Sequence, residues 1–246
     1  MRLDIFTRSD PNGKNNEDSF LTKTCGDKTI LCVCDGVGGT DAGEIASGYV
    51  TKNLEAWLDK TNIAGLGAAS LHREVSSFVD KMHQDLQIIS GEKGMSLGTT
   101  FVLAVIGEKK AVIENIGDSR AYILQRGYLK QITLDQTVRM YELSGGEPID
   151  YVSEMKKNST LMQCIGAGLK EPKPARYVVS LDEDVDLLLC SDGLSNRLTE
   201  LNIQAHLLKT DSEKEAVDAL IQLAKDRGET DNITAVLYRR RCGNRC

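Results

Sequence analysis

The order of apolar runs along the chain predicts an α/β sandwich of antiparallel sheets with helices outside. Three observations carry this. Short β-favouring runs cluster in mid-chain and are joined by brief polar links. Two long amphipathic stripes precede that cluster, and helices and strands do not alternate one by one as a parallel βαβ sheet requires.

The helices come first. In residues 41–59, Ala42, Ile45, Ala46, Tyr49, Val50, Leu54, Trp57 and Leu58 follow i, i+3, i+4 spacing, and in 68–90 Leu71, Val75, Phe78, Met82, Leu86 and Ile89 do the same. A third stripe, Ala216, Val217, Leu220, Leu223 and Ala224, marks a helix over 213–227, and a shorter one starts near Thr199, which can cap it. The strand signals are residues 29–34, 99–106, 111–116, 121–125 and 128–133, followed by 176–180, 185–190 and 233–239. Residues 107–110 and the pair Arg126-Gly127 read as hairpin turns, which makes their flanking strands antiparallel. Residues 140–170 lack a clear period and contain Ser144-Gly145-Gly146, so a surface loop is expected there.

Of the 246 residues, 41% are hydrophobic and 27% charged, which is the composition of a globular chain with an ample core. With 4 prolines and no linker-like tract, one domain over 1–240 is expected, followed by a short basic tail over 241–246. A net charge of −6 disfavours a general nucleic-acid binder, since phosphate backbones call for clustered Lys and Arg. No apolar stretch approaches membrane-spanning length and the start has no signal-peptide layout, so no membrane partner and a cytoplasmic location are expected. Seven cysteines form an odd set, with Cys32, Cys34 and Cys190 in apolar runs, as expected of free thiols. Cys242 and Cys246 lie in the basic end, RRRCGNRC, without the further ligands that zinc needs.

The chemistry is concentrated in acidic residues at strand edges. NNEDSF (15–20), ILCVCDGVGG (30–39), NIGDSRAY (115–122), LLLCSDGLS (187–195) and ETDNIT (229–234) each deliver an aspartate: Asp18, Asp35, Asp118, Asp192 and Asp231. Singly, each fits an ordinary turn. Together they imply that like charges converge where strands leave the core, an arrangement that cations relieve. Hard oxygen ligands without nearby histidine fit magnesium or manganese better than zinc or copper. Glycine after Asp35 would let the Gly36 carbonyl approach a metal closely.

These stretches resemble, in order and spacing, the metal-dependent type 2C serine/threonine protein phosphatases. The motifs are NNEDS, DGVGG with GEIAS, LGTT, GDSRAY, CSDGLSN and DNIT, and the match runs over about residues 10–237. The resemblance implies a four-layer α-β-β-α sandwich of two antiparallel sheets flanked by helix pairs, with the metal site at one end. It implies hydrolysis of phosphoserine and phosphothreonine in proteins by a water activated between two Mg2+ or Mn2+ ions. Asp35 would bridge the two ions, with the Gly36 carbonyl on one of them, and Asp192 and Asp231 would hold the other. Asp35 and Asp192 would thus be the catalytic pair, acting through metal-bound water. Asp18 and Glu17 would act mainly through metal-bound water as well. Asp118 matches a position that, with Asp192, can hold a third and weaker ion in such enzymes. Gly98, Thr99 and Thr100 match a strand with a structural role. The implied partners are phosphoproteins made by a serine/threonine kinase, with a monomer as the expected state.

Two departures from the family pattern stand out. Where similar enzymes often carry a phosphate-gripping arginine, this chain has Gly13. Lys14 is the nearest cation and the expected phosphate contact, with Arg8 as a second candidate, although lysine lacks arginine's two-pronged fork. Some relatives place histidine after the first Asp-Gly; here it is Val37. The only histidines, His72, His83 and His206, fall on expected helices as surface or half-buried positions, and no GxSxG elbow or phosphate-binding glycine motif occurs. Cys190 and Arg197 are spaced one residue too far apart for a cysteine-phosphatase loop. Two other readings compete. A non-catalytic phosphoprotein-binding module would have lost metal aspartates, and none is lost. A phosphoesterase acting on small molecules stays open at this point.

Overall fold

A strand that is apolar on both faces needs cover on both sides, and this fold supplies it. The structure, a computed structural model, describes residues 2–12, 15–38 and 42–242. The chain opens with β1 (Arg2–Asp10), β2 (Asp18–Cys25) and β3 (Lys28–Val37), followed by helices α1 (Ala42–Lys60) and α2 (Ala68–Lys93). A meander follows: β4 (Gly98–Thr99), β5 (Phe101–Ile106), β6 (Lys110–Ile116), β7 (Arg120–Gln125) and β8 (Tyr128–Gln131). After α3 (Val138–Leu143) come β9 (Ala175–Ser180), β10 (Val185–Cys190), α4 (Asp192–Ser195), α5 (Glu200–Lys209), α6 (Glu213–Asp226) and β11 (Ile233–Arg241).

One sheet runs β1-β11-β10-β7-β8; the other runs β2-β3-β5-β6-β9, with β4 paired to β3. All of these pairings are antiparallel. On β3, Ile30, Cys32 and Cys34 face α1 and α2, whereas Leu31 and Val33 face the other sheet. On β10, Leu188 and Cys190 face α5 and α6, whereas Leu187 and Leu189 meet Leu31, Val102 and Ile113 across the sandwich. The result is the expected four-layer α-β-β-α sandwich, with one core between the sheets and one under each helix layer.

Several elements differ from the sequence expectation. β1 and β2 carry no strong apolar run because each is the edge strand of its sheet, half-buried and rich in charge and Thr. The strand expected over 99–106 breaks at Thr100, so that Gly98–Thr99 can pair with Val37 and Gly36 instead. The expected loop begins with a helical turn, α3, capped by the Thr137 hydroxyl, which accepts from Met140 N–H. His83 is buried rather than superficial: its Nδ1 accepts the Gly166 N–H at 2.9 Å. β11 runs through Arg241, so the tail's first residue belongs to the sheet, while Gly243–Cys246 lie outside the described residues. Thr199 caps α5 in a reciprocal box with Asn202, as its position suggested. Cys32, Cys34, Cys164 and Cys190 are buried free thiols. Among the described residues no helix is long and apolar enough to cross a membrane.

One buried charge ties the helix layer to the sheet. Arg239, fully buried, donates from Nε and Nη2 to both oxygens of Asp186 at 2.9 and 2.6 Å, and to the Leu207 and Thr210 carbonyls at the end of α5. Arg239→Ala should lower stability by about 3 kcal/mol in urea unfolding. That is the low end for a broken buried pair, because Arg241 still reaches Asp186 at 2.6 Å.

Candidate metal centre

Antiparallel pairing brings the acidic strand edges to one end of the sandwich. Asp18, the first residue of β2, lies opposite Asp35 near the end of β3. Asp118 sits in the turn between β6 and β7, Asp192 follows β10, and Asp231 precedes β11. Since β7, β10 and β11 alternate in direction within one sheet, with Cys190 opposite both Arg120 and Ala235, those turns fall at the same end. A cavity of about 460 Å3 beside Lys109 and Arg240 lies at the opposite end of the strands and contains none of these aspartates.

Close backbone approach positions the loops. A Cβ on Gly193 would come within 2.0 Å of the Asn232 carbonyl oxygen, so only glycine lets the turn after Asp192 pack against the loop that carries Asp231. A Cβ on Gly36 would meet the Gly43 carbonyl oxygen at 2.2 Å. Glycine at 36 is therefore required by the first turn of α1, a reason that the sequence reading did not supply. Asn232 links the two chain ends: its Oδ1 accepts the Glu17 N–H at 2.8 Å and its Nδ2 donates to the Pro11 carbonyl at 2.9 Å.

A ring of hydroxyl groups holds the aspartates. Ser191 donates to Asp18 Oδ2 at 2.8 Å and, through the same oxygen, accepts the Thr234 N–H at 2.9 Å, so that one serine joins the two sheets. Thr99 donates to the Asp35 carbonyl at 2.9 Å, Thr100 Oγ1 accepts the Asp35 N–H at 2.9 Å, and the Thr100 and Ser119 hydroxyls meet at 2.7 Å beside Asp118. The LGTT segment thus pins the backbone of Asp35 and connects it to the turn of Asp118. Ser191, Thr234 and Asn232 escaped the sequence reading because isolated Ser, Thr and Asn carry no periodic signal; their places beside SDG and DNIT were the only clue.

The electrostatics are those of a site built for cations. Burial lifts the Asp35 carboxyl well above its usual range, and Asp18, Asp192, Asp118 and Asp231 push in the same direction. Burial likewise raises Asp118 to about 8, helped by Asp192 and Asp135. Asp18 reaches about 7, again mainly through burial, although the Thr234 and Ser191 hydroxyls oppose the shift. Burial, followed by the charge of Asp231, raises Asp192. Basic side chains are missing from the leading influences on Asp18, Asp35 and Asp192. One oxygen of Asp192, Oδ1, is buried without a hydrogen-bond partner. A buried, unpartnered carboxylate oxygen among like charges fits a divalent cation bound by oxygen ligands. Among the described residues no three His, Cys, Asp or Glu side chains are drawn into a closed cage. Mutual repulsion keeps such carboxylates apart until a cation pulls them together.

A family profile described as Protein phosphatase 2C matches residues 8–237. The chain belongs to the protein phosphatase 2C family. It is 32% identical over 232 residues to the serine/threonine phosphatase stp of Listeria monocytogenes, covering 92% of this chain and 90% of that protein. The serine/threonine phosphatase of S. agalactiae superposes with a TM-score of 0.84 at 25% identity, covering 96% of this chain and 99% of that one. The catalytic domain of the phosphatase PstP, solved in complex with 2 manganese ions, superposes with a TM-score of 0.77 at 27% identity, covering 97% and 99%.

The expected phosphate contacts fare differently from the aspartates. Lys14 lies outside the described residues. Arg8 is turned towards α6, where its Nη1 donates to Asp218 at 2.6 Å and its Nη2 to Asp10 at 3.4 Å. A cavity of about 260 Å3 opens beside the cluster, lined by Asp118, Asp192, Asn196, Arg120, Arg139 and Asn158.

The raised carboxyls make a pH prediction. Folded Asp18 and Asp118 hold protons up to about 7 and about 8, whereas an unfolded aspartate releases its proton near 3.8. Between those values the folded state binds more protons, so metal-free stability should fall as pH rises from about 4 to about 8. Thermal unfolding in EDTA should show that decline, and Mn2+ should flatten it. A Tm that rises with pH in EDTA would contradict the assigned shifts. Gly193→Ala should also cost roughly 1–3 kcal/mol of stability, the effect of an overpacked site, seen as a lower Tm, and weaken Mn2+ binding measured by calorimetry.

Proposed function

We propose that this chain removes phosphate from serine and threonine side chains of proteins, with Mg2+ or Mn2+ held by Asp18, Asp35, Asp118, Asp192, Asp231 and the Gly36 carbonyl. The observation that carries the reading is the convergence of buried, proton-hungry aspartates around the unpartnered Asp192 oxygen, at the end of a protein phosphatase 2C sandwich. Two cations, with a third and weaker one at Asp118, would supply the Lewis acidity that activates water and offsets charge on the phosphoryl oxygens.

The chain's own residues do the positioning. Asp35 and Asp192 each influence the other's proton, which suits them to share cations and supports their place as the catalytic pair. Thr99 and Thr100 fix the backbone of Asp35 from both its N–H and its carbonyl, so its carboxylate is aimed by the segment where β4 gives way to β5. Ser191 sets Asp18, and Asn196 Nδ2 donates to Asp192 Oδ2 at 3.0 Å, leaving Oδ1 for a cation. Glu17 sits behind the centre, where its carbonyl accepts the Gly36 N–H at 3.0 Å and the Ser47 hydroxyl at 2.6 Å. Preorganisation of this kind is where phosphate monoester hydrolysis gains most of its rate.

Lys14, four residues before Asp18, stays the proposed phosphate grip, with Arg8, paired here with Asp218, as the second candidate. The sandwich over 1–240 is the proposed catalytic unit, with 241–246 as its tail. A single chain supplies every group of the centre, which supports a monomer as the working form. The buried free thiols support a reducing compartment such as the cytoplasm. The substrates would be products of a serine/threonine kinase.

Hydrolysis of p-nitrophenyl phosphate and of phosphothreonine peptides should depend on added Mn2+ or Mg2+ and stop in EDTA. Asp35→Asn and Asp192→Asn should each lower kcat by at least about 100-fold while circular dichroism shows an intact fold. Near-normal turnover by either variant would overturn its place in the centre. Lys14→Ala should lower kcat/KM about tenfold or more with metal titration unchanged, the loss expected of one charge-assisted phosphate contact.

A further inference from the structure

The cavity beside Asp118 and Asp192 has a basic wall that cation binding does not use. Its volume, about 260 Å3, has room for one side chain of a substrate. Two arginines line it. Arg120 is committed: Nε and Nη2 grip the two oxygens of Asp135 at 2.8 and 2.6 Å, and Nη1 donates to the Tyr122 hydroxyl at 3.2 Å.

Arg139 is held quite differently. It stands in the first turn of α3, and its Nη2 donates to Glu154 Oε2 at 2.6 Å, with the Glu154 side chain 69% exposed. The other oxygen of Glu154, Oε1, takes Lys157 Nζ at 2.7 Å, and Lys157 also holds Glu142 at 2.8 Å. If Arg139 leaves, Glu154 keeps a cation and no charge is stranded. Releasing an exposed ion pair costs little. A new anion in the cavity, partly shielded from water, would return more than that.

We propose that Arg139 is a specificity residue: it exchanges Glu154 for an anionic group, carboxylate or phosphate, on a residue flanking the substrate's phosphoserine or phosphothreonine. This rests on the phosphatase reading above. The cavity is continuous with Asp118 and Asp192, so a group bound there belongs to the same substrate as the phosphate being hydrolysed. The Arg139 backbone is fixed, its N–H donating to the Lys157 carbonyl at 2.9 Å, so only the side chain need swing.

The test compares phosphothreonine peptides with neutral flanks, with an acidic flanking residue and with a second phosphorylated flanking residue, all with Mn2+. The readout is the ratio of kcat/KM for each anionic peptide to that for the neutral one, so that any loss common to all substrates cancels. The full-length parent should prefer at least one anionic peptide, and which one it prefers identifies the group as carboxylate or phosphate. Arg139→Ala should cut that ratio about tenfold, the effect of one charge-assisted contact, and Arg139→Lys should restore part of it. Glu154→Gln, which weakens the resident competitor, should raise the ratio. A ratio unchanged within twofold in Arg139→Ala overturns the proposal while leaving the phosphatase reading intact. A parent that hydrolyses p-nitrophenyl phosphate but no phosphopeptide overturns both.

Discussion

Mutual repulsion among buried carboxylates is the constraint around which this molecule is built. Asp18, Asp35, Asp118 and Asp192, from four different strand edges, share one end of the sandwich, and burial, reinforced by the neighbouring carboxylates, drives their protons on. No single loop could hold such charges together, because each would turn to solvent. They stay because Asp35, Asp118 and Asp192 adjoin strands whose two faces are locked in different cores and Asp18 lies on β2, paired to one of these strands, so the cost of convergence is set against the packing of the whole sandwich. The same repulsion is what a pair of divalent cations would relieve, which couples folding to metal binding through protons.

Around this centre the polar groups form a second layer that does not titrate. Ser191, Thr234, Thr99, Thr100, Ser119 and Asn232 are neutral, short and buried, and each joins segments distant in sequence. Neutral hydroxyls fix a carboxylate without neutralising it, so the charge remains for a cation. Basic side chains stand further out. Arg120 faces Asp135, and Arg139 and Lys157 belong to an ion-pair group around α3.

That outer group gives the segment after β8 its character. Residues 138–160 hold little apolar core and are knit by Lys157, buried between Glu142 and Glu154, and by Arg139. Leu143, Tyr151 and Met155 are left exposed on it. A wall made of exchangeable ion pairs beside a rigid metal centre keeps chemistry and selectivity apart. The chemistry sits on strand ends, and choice of substrate sits on a segment whose contacts can be swapped at low cost.

Much of this was legible in the chain itself. The apolar runs of β3, β5 and β10, the stripes of α1, α2 and α6 and the hairpin at Arg126-Gly127 follow from periodicity and turn chemistry, because burial on a face imposes a repeat on the residues that face it. Asp35 and Asp192 announced themselves by standing where apolar runs end, and Asp18, Asp118 and Asp231 by the short motifs around them. The edge strands β1 and β2 were silent, since half-exposed strands need no apolar repeat. Only the tertiary structure decided that Arg8 turns to Asp218, that His83 is buried against Gly166, that Gly36 is demanded by Gly43, and that Ser191 bridges Asp18 to Thr234. These are contacts between residues far apart in the chain, made by single polar groups or single glycines. One hydrogen bond or one close approach leaves no period behind it, so the sequence determines the layers and the acidic edges, and the packing of the layers determines which side chain meets which.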